Sequence, residues 1–166
     1  MLEMERIDDA IGAVSQARKV GKLSDRVNAR LQVLLARAAL HQGAAEQANR
    51  LLDLADATLH AARDRDGLAS SGLARATLYR SLGYWDHAVT WYRQVIQLQP
   101  SDPRVEVEAL KDLIECRIAA GQMDGLTADV ARLRQAAAAS GDTRTLSHAT
   151  YAAGRVHLLQ GQLDDA

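Results

Sequence analysis

Side chains able to do chemistry are few and scattered: five histidines, one cysteine and one aromatic cluster, Tyr84, Trp85, Trp91 and Tyr92. His41, His60, His87, His148 and His157 never stand three or four residues apart, so no pair of them can chelate a metal from one helix face. Cys116 lies beside Glu115 with no histidine near it in sequence to draw off its proton, which is the setting of an inert thiol. The chain contains no phosphate-binding loop, no GxGxxG following a strand, no GxSxG and no HExxH. These readings predict no catalytic residue, no metal and no cofactor. The aromatic cluster lacks a basic surround, which argues against a stacking platform for single-stranded nucleic acid.

Composition narrows the class further. The chain has 166 residues, 48% of them hydrophobic, as a folded domain requires. Twenty Lys and Arg stand against 21 Asp and Glu, a formal charge of −1, so no net attraction to nucleic acid or an anionic membrane is expected. Lys19, Lys22 and Lys111 are the only lysines; the Arg- and Ala-weighted remainder points to a GC-rich, bacterial genome. A single cysteine excludes an intrachain disulfide and a Cys-based zinc site, and with no leader-like segment the expected location is the reducing cytoplasm. No run approaches the roughly 18 apolar residues of a membrane span.

What must position any site is a repeat. Gly83-Tyr84-Trp85-Asp86-His87-Ala88, Gly121-Gln122-Met123-Asp124-Gly125-Leu126 and Gly161-Gln162-Leu163-Asp164-Asp165-Ala166 share one pattern, with Gly43-Ala44-Ala45-Glu46-Gln47-Ala48 a weaker copy and Glu5 to Ala10 a copy without the glycine. The glycines are 83−43 = 40, 121−83 = 38 and 161−121 = 40 residues apart, a period that means a solenoid. Two residues past each glycine stand Ala45, Trp85 and Met123; three past stand Glu46, Asp86 and Asp124, expected to cap a helix start. Five, nine and twelve past it stand Ala48, Ala88 and Leu126, then Leu52, Tyr92 and Val130, then Ala55, Val95 and Leu133, one helical face. A second amphipathic segment ends at each glycine, with Ala36, Ala76, Ile114 and Gly154 seven residues before it, mostly small enough for close helix crossing. The expected helices are 5–20, 25–42, 44–62, 68–82, 84–99, 103–120, 123–139 and 143–160. In these columns Trp85 and Tyr92 read as core, while Trp91 falls off the face, and His157, matching Tyr79, reads as a packed repeat position.

Ala76-Thr77-Leu78-Tyr79, Leu82-Gly83-Tyr84-Trp85-Asp86-His87-Ala88, Tyr92, Val95 and Pro100 together resemble a tetratricopeptide repeat, and Gly161 to Ala166 resemble its turn. The resemblance covers the whole chain, most closely residues 69–100 and 147–166. Arg75 and Gly72 depart from it, standing where the family has large apolar residues, while Ile114 replaces a small residue and Leu126 the usual alanine. It implies an all-α, right-handed superhelical solenoid of antiparallel helix hairpins, about four repeats, over residues 1–166 as one domain. The longer period is similar to that of sensory regions in large bacterial regulators, including transcription activators and diguanylate cyclases.

The resemblance also implies a site, because the first helix of each hairpin lines a concave groove. Residues ten, six and three before each glycine should face it: Val33, Arg37 and Leu40; Leu73, Thr77 and Arg80; Lys111, Glu115 and Ile118; Tyr151, Arg155 and Leu158. Such a groove suits an extended peptide or an amphipathic helix with apolar anchors and some acidic residues. The alternative is that the longer helices bury part of this stripe. Chaperone-docking members hold a C-terminal carboxylate with basic and amide residues; the matching positions here are Val33, Arg37, Ala74, Glu108 and Asp112, whose two acids argue against that clamp. Both ends cut through a repeat, which predicts a fragment of a longer protein whose open ends self-associate. The expected function is a non-enzymatic, protein- or peptide-binding module of a bacterial signalling or transcription regulator, with a self-associating scaffold or the sensory arm of a multidomain enzyme as alternatives.

Overall fold

A computed structural model describes residues 23–140, 143–159 and 161, together with positions 12 and 16. The helix expected over 5–20 lies largely outside these residues, as does the repeat copy after Gly161. Among the described residues the chain forms seven helices and no strand: α1 (Asp25–His41), α2 (Ala45–Ala61), α3 (Arg65–Ser81), α4 (Trp85–Gln97), α5 (Pro103–Ala119), α6 (Leu126–Ser140) and α7 (Thr143–Leu159).

Local chemistry explains most boundaries. Ser24 caps α1, its hydroxyl accepting from the Val27 N–H at 3.4 Å. Asp102 caps α5 by accepting from the Arg104 N–H, and Pro103 occupies the first turn, where its missing N–H is not needed. The repeated acids act differently from the expectation. Ala44 and Tyr84 are the N-cap residues of α2 and α4 and make no side-chain cap, so Glu46 and Asp86 sit inside the first turn, where they face the helix dipole. In addition, Glu46 meets Arg50 at 4.0 Å and Asp86 accepts from the Gln122 amide at 2.6 Å. Two starts differ. Helix α3 begins at 65 instead of 68 because Asp64 caps it through the Gly67 N–H at 3.2 Å, which places Gly67 within the helix. Helix α6 begins at 126 instead of 123 because Gly125, at φ +74°, interrupts the helical path behind Asp124.

The helix ends share one motif. Gly43, Gly83 and Gly121 take φ of +75°, +77° and +71°. At Gly83 the N–H bonds to the Arg80 carbonyl at 3.1 Å and the next N–H, of Tyr84, reaches back to Tyr79 at 2.9 Å. Gly43 with Ala44 and Gly121 with Gln122 repeat this pair of bonds. This Schellman closure satisfies the last carbonyls of each helix and reverses the chain within two residues.

The columns five, nine and twelve past the glycine are buried throughout: Ala48, Ala88, Leu126, Leu52, Tyr92, Val130, Ala55, Val95 and Leu133 are at most 5% exposed. Ala36, Ala76 and Ile114 on the facing helices are fully buried, so each hairpin closes as the repeat required. Helices α1, α3, α5 and α7 form one row, each touching the next of the row, and α2, α4 and α6 lie behind them. The apolar core falls into two clusters. One joins α1 and α2 and includes Ala74 of α3; the other runs from α3 to α7. Between them lies a polar seam: Arg75, only 8% exposed, donates to Asp53 at 2.7 Å, to Asp56 at 2.8 and 3.0 Å and to Asn49 at 3.2 Å. The family departure at Arg75 is therefore a buried cation fully supplied with partners.

Candidate functional site

Because α1, α3, α5 and α7 stand side by side, their free faces make one trough. Its larger lobe, about 630 Å³, lies between α3, α5 and α7 and is bounded by Trp85, Glu115, Ala119 and Tyr151 over the buried Cys116 and Ala152. A second lobe, about 430 Å³, lies between α1, α3 and α5 against Arg37, Leu40, His41 and Glu108. Thr77, Arg80, Ser81, Lys111 and Asp112 line both lobes, so the trough is continuous.

Helix α5 supplies its anions. Glu108, Asp112 and Glu115 recur at four and three residues, one face of a helix, and each meets an arginine from a different neighbour. Arg37 of α1 lies 3.8 Å from Glu108, Arg80 of α3 lies 3.7 Å from Asp112, and Arg155 of α7 donates to both oxygens of Glu115 at 2.5 Å. Lys111 approaches Asp112 at 3.4 Å. Asp112 is buried, and the Tyr92 hydroxyl donates to it from below at 3.3 Å. Burial, reinforced by the Asp112 charge, holds the Tyr92 phenol well above its usual range, so it remains a hydrogen-bond donor. Burial likewise pushes the Cys116 thiol up to about 11, leaving it uncharged on the trough floor.

Of the residues expected in the groove, Arg37, Leu40, Thr77, Arg80, Lys111, Glu115 and Tyr151 line the trough. Arg155 reaches it through Glu115, and its guanidinium lies 5.9 Å from the centre of the Tyr151 ring. Val33 and Leu73 line neither lobe: they are 2% and 4% exposed and belong to the core, although Val33 also touches a smaller pocket of about 220 Å³ between α1 and α3 that shares Arg37 with the second lobe. The reason is their spacing, three residues before Ala36 and Ala76, which puts them on the helix face that meets the partner helix. Ile118 packs against the core, and Leu158 is exposed without lining either lobe. Trp85 departs from its expected place in the other direction. It is 37% exposed and forms a wall of the larger lobe. Trp91 is half-buried with the Arg75 guanidinium 5.4 Å from its ring centre, while Tyr92 is fully buried. The side chains of His148 and His157 lie outside the described set. Asp112, Glu108 and Ser81 complete the trough, and the spacing of the two acids with Glu115 on one helix face was the signal for them.

Among the described residues no group of three or more His, Cys, Asp or Glu is placed to hold a metal ion, and no helix is long and apolar enough to cross a membrane. No protein-family model matches the chain, and no curated protein matches it. Two solved structures are similar, both of a putative kinesin light chain from Podosopora anserina with nearly identical TPR-like repeats, one of them a point variant. Their TM-scores are 0.68 and 0.67 at 20% identity, covering 95% of this chain and 78% and 79% of theirs. This likeness, with the seven helices and their turns, defines the chain as a tetratricopeptide-like solenoid.

Proposed function

We propose that the trough is a docking groove for an extended segment of a protein partner, bound with an apolar anchor in the larger lobe and a mixed-charge stretch beside α5. The observation that carries this reading is the trough's continuity across four helices with two exposed aromatic walls, Trp85 and Tyr151, at one end. Aromatic side chains standing over an apolar floor are what a partner's anchor residue fills, and such anchors dominate binding energy. The paired charges refine the partner's character. Arg37, Arg80 and Arg155 already have carboxylate neighbours, so a purely acidic peptide would have to displace Glu108, Asp112 or Glu115. A segment carrying both signs instead exchanges one ion pair for another. We place this module in the cytoplasmic sensory or regulatory part of a bacterial signalling or transcription regulator, a setting supported by composition and by the long repeat.

The test is selection of displayed random dodecapeptides on the whole chain, followed by affinity measurement on Trp85→Ala and Tyr151→Ala variants. Enriched sequences should carry one large apolar residue flanked by both acidic and basic residues. Each substitution should weaken them by about 2 kcal/mol, roughly thirtyfold. Failure of any sequence to enrich, or binding indifferent to both substitutions, would overturn the assignment.

A further inference from the structure

A separate pocket of about 340 Å³ opens on the other side of α3, between α2 and α4, and shares no residue with the trough. Helices α2 and α4 bring no Cα atoms within 8 Å of each other, and Leu68 and Gly72 of α3 line the gap between them. Gly72 lies in the pocket wall. A Cβ there would come within 2.7 Å of Val95 Cγ2, so the missing side chain lets Val95 of α4 seat directly on the α3 backbone, and the pocket opens beside that contact. One repeat later the same position, eleven residues before the turn glycine, is Leu110, which is 1% exposed. The apolar lining is Leu68, Val95, Leu98 and the Trp91 ring.

The rim says what could fill it. Asp56 is the charged group there, and its oxygens are taken by Ser71 Oγ at 2.5 Å and by Arg75 at 2.8 and 3.0 Å. His60, Gln94 and Gln97 are exposed, and their side chains have no hydrogen-bond partner among the described residues. Each can both donate and accept. None of the exposed large hydrophobic side chains lines the mouth, so a protein partner would have a single anchor here and no surrounding apolar surface. We infer that this pocket binds a neutral, small aromatic molecule, its ring against Trp91, Val95 and Leu98 and one hydrogen-bonding group turned to His60, Gln94 or Gln97. The volume falls at the small end of ligand cavities, and an apolar pocket with a few hydrogen-bonding side chains at its rim selects that chemistry. The Asp56 carboxylate is already paired with Arg75, so the lining holds no free carboxylate for a cation and no lysine or arginine for an anion.

Titration of the whole chain, labelled at Leu and Val methyls and at backbone and indole nitrogens and observed by NMR, decides the matter with three probes that share one methylphenyl ring: 4-methylphenol, 4-methylbenzoate and 4-methylbenzylamine. Saturable shifts with 4-methylphenol, confined to Leu68, Val95, Leu98 and the Trp91 indole, are expected, with the charged probes at least about tenfold weaker. Gln94→Trp, an exposed rim position, should close the mouth and weaken 4-methylphenol by a similar factor while leaving the α5 to α7 signals unshifted. Unsaturable shifts, equal affinity for all three probes, or shifts centred on Trp85 and Tyr151 would overturn the inference. The trough's role in peptide docking is read separately, through Trp85 and Tyr151.

Discussion

Asp64 shows how one residue can close a junction. It is 1% exposed and accepts from Arg26 at 2.9 and 3.1 Å, from Arg30 at 2.6 Å through both oxygens, and from the Gly67 N–H. A single carboxylate thus caps α3 and ties it to α1. The Arg30 hydrogen bonds lead in holding its pKa far below the ordinary carboxylate range. A pKa lowered in the folded state stabilises the fold above the unfolded value, near 3.8, and that contribution is lost as pH falls below it. Asp64→Asn should therefore cost about 2 kcal/mol at pH 7, the worth of a charged hydrogen-bond set whose arginines remain partly solvated. Urea denaturation should show the gap between variant and parent narrowing between about pH 4 and pH 2. A gap constant with pH would mean that Asp64 acts by shape and capping alone.

At the scale of the element, the turn between successive helices tests whether the left-handed residue matters or merely recurs. Gly83 has φ +77° and open space where a methyl group would stand, so Gly83→Ala is opposed only by backbone geometry and should cost about 1 kcal/mol. The α2–α3 turn makes the same two bonds, Arg63 N–H to His60 and Asp64 N–H to Leu59, but with Arg63 at φ +50°. Arg63→Gly should gain about 0.5 kcal/mol, relief of strain partly offset by the freer unfolded chain. Shifts in denaturation midpoint of opposite sign would confirm the pair. The same turns show what the sequence could tell. The columns at five, nine and twelve were legible because a hairpin's two helices bury the same faces in every copy, whatever the partner. The column at two was not: Trp85 is the first helical residue, its side chain leaning back over the turn, so it covers the end of the hairpin and walls the trough. The Arg37, Arg80 and Arg155 pairings were also illegible, since each depends on how neighbouring hairpins stack and not on any local spacing. Arg75 looked like a misfit for the same reason: its partners, Asp53, Asp56 and Asn49, belong to the previous hairpin.

At the scale of the molecule, the polar seam at Arg75 and the pocket above Gly72 fall at one junction, where the two core clusters also part. In a solenoid each unit is stabilised by its own packing plus its nearest interface, so a weaker interface lets one end open before the rest. Hairpin α1–α2 owns a core of Val33, Ala36, Leu52, Ala55 and Leu59, all 2% exposed or less, and joins α3 through Ala74 and Leu68, the Asp64 cluster and the Arg75 seam. Much of that junction is hydrogen bonds and ion pairs, which contribute less net stability than the continuous apolar packing from α3 to α7. Helices α1 and α2 should therefore exchange their amide hydrogens as one unit, at lower free energy than α4 to α6. Leu52→Ala, which opens a cavity costing about 2–5 kcal/mol, should lower protection across α1 and α2 by that amount and leave α4 to α6 nearly unchanged. Leu113→Ala, in the other cluster, should lower protection on both sides of the seam, because α3 is the helix against which the first hairpin packs. Equal loss of protection along the whole chain from Leu52→Ala would show that the seam transmits stability as well as an apolar interface does. Separate opening would make this junction the place where the trough can change curvature, since Arg37 and Glu108, facing each other across it, belong to helices on opposite sides of the seam.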